Sequence, residues 1–337
     1  MLLTSANIKI NIEYTMKGMG VEKDFQKAAY WYEKYLNDGK PKRKSKWIFI
    51  DQSDMVSLAQ CYDSLRNYTD AIRWYREVLT GELESYSARD EHAECKAVIG
   101  ILRLYYLGLG VEKGTPKYID YWLGEFRRKG GTAHYALELA LEDNEMSKFW
   151  LEYAVSQGSS MAIYFMGLAY ESGLLGFDNN KETAYTFYKK AAEKNYYAAY
   201  LKMAIMSEKG IGCSQNYEYA YKIYDWIINS AKEHFSNFDF YTAIGHLGIM
   251  YYNGYYVQRN PDIAYKKLSE AWYRCADSDI LKTLSACYRY GQGTDTNIAE
   301  ANRFEELAIK SGNADANYVR QEIDKIKETL KNSTQCY

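Results

Sequence analysis

The sequence predicts an all-α protein, an α-solenoid of about eight stacked helical hairpins ending in a C-terminal capping helix. Three observations carry that prediction. Apolar residues recur at helical spacing in paired segments, a short polar residue stands ahead of the second segment of each pair, and a glycine turn closes most of the first ones. The stretch from Ser160 to Gly210 holds one complete copy and the start of the next. There Ala162, Met166, Gly167 and Tyr170 share one helical face, and Ala184, Phe187, Tyr188 and Ala191 share another. A hairpin of this size cannot bury its own apolar face, so the pattern makes sense only if neighbouring copies stack on a shared core. A chain of 337 residues is then acceptable as one elongated repeat array.

The polar marks set the register. Asp24, Asn67, Asn180, Asn216, Asn260 and Asn297 each stand four positions before an alanine, where a short side chain can accept from an orphan backbone N–H of a helix start. Thr115, followed by Pro116 in the first helical turn, and Asn144 are looser copies that fill the gap between Asn67 and Asn180. Eight marks predict eight hairpins. The first helices end in glycine turns at Gly18–Val21, Gly108–Val111, Gly210–Cys213 and Gly291–Thr294, which permit the positive φ that redirects the chain. The turn is one residue longer at Gly173–Phe177 and loses its second glycine at Gly254–Val257; the hairpin before Asn144 drops it altogether. Residues 1–312 are expected to form the solenoid and 313–337 the capping helix and tail.

These residues resemble the Sel-one-like repeat, a relative of the tetratricopeptide repeat. Ala243, Leu247, Gly248, Tyr251, Gly254 and Val257, followed by Asn260, Ala264 and Ala271, carry the likeness, which runs over most of the chain. The stretch from Asp54 to Thr80, without a glycine turn, is closer to a plain tetratricopeptide copy. The resemblance implies a right-handed superhelix acting as an adaptor or assembly platform that binds a protein or peptide partner in its concave groove. An offset taken from the tetratricopeptide relatives assigns the groove wall to Arg103, Tyr106, Tyr135, Glu142, Tyr164, Glu171, Glu208 with Lys209, Tyr252, Asn253, Lys282, Arg289 and Tyr290. Rigid aromatic rings there bury area at modest entropic cost.

Composition narrows the function classes. A net charge of −2 gives no global drive toward nucleic acid or anionic membrane. No apolar run is long enough to span a bilayer, and the first residues lack the pattern of a secretion signal, so a cytoplasmic protein with free thiols is expected. The basic run Lys40, Lys42, Arg43, Lys44 and Lys46, followed by Trp47–Ile50, reads as a solvated loop whose apolar end tucks inward, with nucleic acid as the lesser alternative. His92, His134, His234 and His246 sit in separate hairpins without metal-ligand spacing, and the glycine turns lack the preceding strand of a phosphate-binding loop, so neither metal nor cofactor is expected. An acidic group, Glu138, Glu142, Asp143 and Glu145, near His134 is the only support for the rival reading, a hydrolase, which the family resemblance also allows. The insertion from Ala231 to Phe240 brings in three phenylalanines that cover the edge of the array.

Overall fold

The computed structural model describes residues 24–38, 51–80, 90–142, 144–275, 277–311 and 323–330. Among them every regular element is a helix. They group into two compact units, Met1–Thr132 and Ala133–Tyr337. The boundary expected near residue 312, the glycine turn at Gly18–Val21 and the basic run Lys40–Lys46 with Trp47–Ile50 lie outside the described residues.

The first unit contains α1 (Phe25–Asp38), α2 (Gln52–Ser64), α3 (Tyr68–Thr80), α4 (Glu91–Leu107) and α5 (Pro116–Arg128). The second contains α6 (Ala133–Ala140), α7 (Ser147–Ser156), α8 (Ser160–Ser172), α9 (Lys181–Glu193), α10 (Ala198–Lys209), α11 (Tyr217–Ser230), α12 (Asn237–Asn253), α13 (Pro261–Cys275), α14 (Ser278–Tyr290) and α15 (Ile298–Ser311). A helical stretch at 323–330 follows. Within each unit consecutive helices pack antiparallel as hairpins, and hairpins stack in chain order.

All eight expected marks sit at helix starts. Asp24, Asn180, Asn216, Asn260 and Asn297 accept from the backbone N–H three residues on at 2.9–3.1 Å. Asn67 and Thr115 do the same at 3.4 Å. Asn144 forms a tighter turn, accepting from Met146 N–H at 2.9 Å just before α7. Each such cap is worth about 1 kcal/mol. The expected glycine stops hold as well: Gly108, Gly173, Gly210, Gly254 and Gly291 all end their helices in the left-handed region.

The second glycine of the turn has a different task. At Gly212 an added Cβ would lie 2.2 Å from the Lys181 carbonyl oxygen, so the turn after α10 presses directly on the first residue of α9. Gly293 meets Pro261 at the start of α13 in the same way. Where the glycine is lost, Tyr256 keeps the left-handed backbone at φ 61° and sets its ring beside Tyr221. Glycine is also required inside two first helices, where the Tyr75 ring lies over Gly100 and the Tyr188 ring over Gly167, each closer than a methyl group would allow.

Contacts that skip a helix fix which side is inner. The substantial ones join α2 to α4, α10 to α12 and α12 to α14, all of them first helices of their hairpins. First helices therefore line the shorter-radius wall, and second helices face outward. In the Ala231–Phe240 insertion, a 3-10 turn at Lys232–His234 leads into α12, where Phe240 is buried and Phe235 and Phe238 pack against the core. Those rings cover the array as expected.

Candidate functional site

The inner wall is laced by carboxylate–cation links between successive hairpins. Glu208, near the end of α10, accepts a hydrogen bond from the Tyr224 hydroxyl of α11 at 2.7 Å and from His246 Nδ1 of α12 at 2.8 Å. The other ring nitrogen of His246 faces Asp277, the N-cap of α14, at 3.8 Å. Burial alone would lower the imidazole pKa, but the Glu208 charge, aided by Asp277, raises it to about 10. The ring is therefore a buried cation that ties three hairpins together. Burial would raise the Asp277 carboxyl, yet His246 and Lys209 hold it well below the usual carboxylate range. Lys209 reaches Asp279 on α14 at 2.5 Å, over the same junction.

One hairpin earlier the same plan recurs. Tyr188 of α9 donates to Glu171 of α8, and Lys202 of α10 lies 3.1 Å from that carboxylate. Burial pushes Glu171 up, but the Lys202 charge and the Tyr188 hydroxyl outweigh it and hold its pKa below the ordinary value. In the first unit Arg103 of α4 grips Asp63 of α2 with contacts of 2.8 and 2.9 Å, and, within one hairpin, Lys129 after α5 meets Glu94 of α4 at 2.7 Å with both side chains buried.

The expected groove residues divide accordingly. Three do not line an open surface, which corrects the borrowed offset: Tyr164 is fully buried with its ring 4.7 Å from Tyr196, Glu208 is buried under Tyr224 and His246, and Glu171 is locked to Tyr188 and Lys202. The two arginines already hold carboxylates of this chain, Arg103 on Asp63 and Arg289 on Glu305 at 2.6 Å. Tyr106 and Tyr135 are half-buried, and Glu142 is exposed beside the Asn144 amide. The structure brings Lys209 and Lys282 together on opposite oxygens of Asp279. It leaves open a patch at the turn ends of α12 and α14, where Tyr290 is 66% exposed, Asn253 is exposed and Tyr252 lies under the Arg259 guanidinium. Arg259 in turn reaches Gln292 across the two turns.

Several of the reactive groups are buried. His246 is fully buried, and burial pushes the Cys61, Cys275 and Cys287 thiols up to about 12. His134 directs Nε2 at the Leu330 carbonyl, 3.3 Å away. Glu142 is raised by partial burial and by Glu138, while Asp143 of that acidic group lies outside the described residues. Among the described residues no three metal-ligating side chains converge, and no helix is long and apolar enough to cross a membrane.

One set of contacts escaped sequence reasoning. The helical stretch 323–330, read from sequence as part of an end cap, touches two first helices far from it in sequence. Lys325 lies 3.2 Å from Asp239 in the first turn of α12, and the Leu330 carbonyl meets His134 at the start of α6. Ile326 and Leu330 are buried.

Six segments match the Sel1 repeat family, at residues 13–35, 57–77, 160–196, 198–225, 243–266 and 284–313. The 57–77 match covers the hairpin that reads as nearer to a plain tetratricopeptide copy, and the unmatched span between 78 and 159 holds the two looser marks. A stretch of 76 residues is 37% identical to Chitin synthase regulatory factor 2 of Schizosaccharomyces pombe, covering 21% of this chain and 15% of that protein. Among solved structures, a Sel1 repeat protein from Oxalobacter formigenes is 24% identical over 76% of this chain and 84% of its own, with a TM-score of 0.37. The protective antigen c5321 of uropathogenic Escherichia coli, which displays an SLR fold, is 18% identical over 97% and 84%, with a TM-score of 0.35.

Proposed function

The chain is a Sel1-like repeat protein, and from that premise we propose that it is a non-catalytic scaffold that holds a protein or peptide partner against the inner faces of its first helices. Sel1 repeat proteins are in general protein-interaction scaffolds. The observation that supports the reading here is the contrast along one wall. Glu208 and His246 are shut inside links between hairpins, while Tyr290 and Asn253 at the turn ends of α14 and α12 stay open. An aromatic patch edged by Arg259 suits an extended segment carrying acidic side chains.

The test is affinity capture from the native host with the wild-type chain, a Lys282→Glu/Tyr290→Ala chain and a Lys189→Glu chain altered on an outward-facing second helix. Partners recovered by wild type and the Lys189 variant but lost from the inner-wall variant support the scaffold reading. Equal recovery by all three overturns it.

A further inference from the structure

Along the inner wall of the second unit, cation after cation is held by a carboxylate of the same chain. Lys202 meets Glu171, Lys209 and Lys282 share Asp279, His246 lies on Glu208, and Arg289 reaches Glu305. Arg259, in the turn after α12, differs. Its guanidinium meets no carboxylate among the described residues.

Arg259 is held in place all the same. Its stem lies close over Gly254, where an added Cβ would come 3.3 Å from the Arg259 Cβ. Nε donates at 2.9 Å to the Tyr252 carbonyl, one of the acceptors that the end of α12 leaves without an intrahelical donor. Nη2 donates to Gln292 Oε1 at 2.5 Å, in the turn of the next hairpin, and the guanidinium carbon stands 5.7 Å from the centroid of the Tyr252 ring. These contacts leave Nη1 without a partner among the described residues, on an exposed side chain. Ordering two long side chains is much of what weakens a surface ion pair, and here the arginine is ordered before any anion arrives. Gln292 supplies a second donor. A guanidinium can only donate, so the amide oxygen faces Arg259 and the amide NH2 remains for a ligand.

The charge of the patch selects the kind of anion. Its other members, Tyr252, Asn253, Tyr290 and Gln292, are uncharged, and Arg289 and Lys282 are already paired. One unpaired positive charge matches one carboxylate. A phosphate group, with close to two negative charges, calls for several cations together.

Resting on the scaffold reading above, we propose that Arg259 is the specificity-determining residue of the docking surface and reads one aspartate or glutamate side chain within an extended segment of the partner. The carboxylate lies against Nη1 and the Gln292 amide, and a neighbouring apolar residue of the segment packs on the exposed Tyr290 ring. A basic residue in the place of the acidic one is rejected by the same charge.

The experiment uses the full chain and, as probe, a library of short random peptides displayed inside a carrier protein, so that none ends in a free carboxylate. Peptides enriched by wild type are synthesised with both ends blocked and measured by fluorescence anisotropy, beside versions whose acidic residue is replaced by its amide, by lysine or by phosphoserine. The enriched peptides are expected to share one acidic residue next to an apolar one, and the amide version to bind wild type about tenfold more weakly. Arg259→Glu is expected to invert the order and prefer the lysine version. Gln292→Glu leaves Arg259 untouched but gives it a carboxylate in cis, as Glu305 does for Arg289, and is expected to weaken the acidic peptide to the level of the amide version. A cooperative thermal melt checks that each variant folds; should Arg259→Glu fail, Gln292→Glu carries the comparison. No enrichment, enrichment without a shared acidic position, an amide effect that persists in both variants, or tighter binding of the phosphoserine version overturns the proposal. Host partners captured through Lys282 and Tyr290 alongside any of those results leave the scaffold reading standing and remove only the role of Arg259.

Discussion

Glu208 and His246, on the first helices of neighbouring hairpins, meet at 2.8 Å where neither is open to solvent, and the Tyr224 hydroxyl binds the same carboxylate oxygen. Removing one member of such a pair leaves a buried charge without its partner, which costs about 3–5 kcal/mol. His246→Gln and Glu208→Gln are each expected to lower stability by that amount near pH 6, measured by urea unfolding.

The pair also fixes a pH dependence. The folded-state pKa of His246, about 10, lies above its unfolded value of 6.5, so the histidine's contribution is full below pH 6.5 and is lost as pH rises toward 10. Asp277 is shifted the other way; its contribution is present above its unfolded value and fades as pH falls through the folded one. The stability gap between wild type and His246→Gln should therefore narrow steadily from pH 6.5 to 10. A gap independent of pH over that range would show that His246 is not the cation described.

Two glycine substitutions are expected to act in opposite directions. Gly212→Ala places a methyl against the Lys181 carbonyl at a left-handed position and should destabilise by more than about 1 kcal/mol. Gly124, inside α5, has nothing within 4 Å of an added Cβ, so Gly124→Ala should stabilise by roughly 0.8–1 kcal/mol. Thermal melts of the two variants check both.

Among the five described cysteines, only Cys213 is part-exposed, while burial pushes Cys61, Cys275 and Cys287 up to about 12 and Cys95 to about 11. Native-state alkylation at pH 8 followed by peptide mapping should label Cys213 well ahead of the other four.

The fold was legible because its signals are local. A cap such as Asn180 or Asn216 acts three residues away, and a stop such as Gly210 acts on its own φ, so each can be read without knowing the stacking. The site was less so, because its contacts cross 16 to 70 residues of sequence. Arg103 reads as a free guanidinium until Asp63 is seen beside it, and Tyr164 reads as groove-lining until Tyr196 closes over it. One signal was present but unread. Glu171 and Glu208 each stand two residues before the helix-ending glycine, Tyr188 and Tyr224 each eight after the capping asparagine, and Lys202 and His246 at matching places in the next first helix. The contacts of residues 323–330 gave no such pattern, since Lys325 and Asp239 lie 86 residues apart in sequence and Leu330 and His134 lie 196 apart.

The most direct test of the scaffold account is site-specific photo-crosslinking in the native host, with the crosslinker at Tyr290 on the inner wall and, in a parallel chain, at Lys189 on the outer one. The account predicts a discrete partner adduct from position 290 that position 189 does not give. Adducts from position 189 alone, or the same set from both, would contradict it.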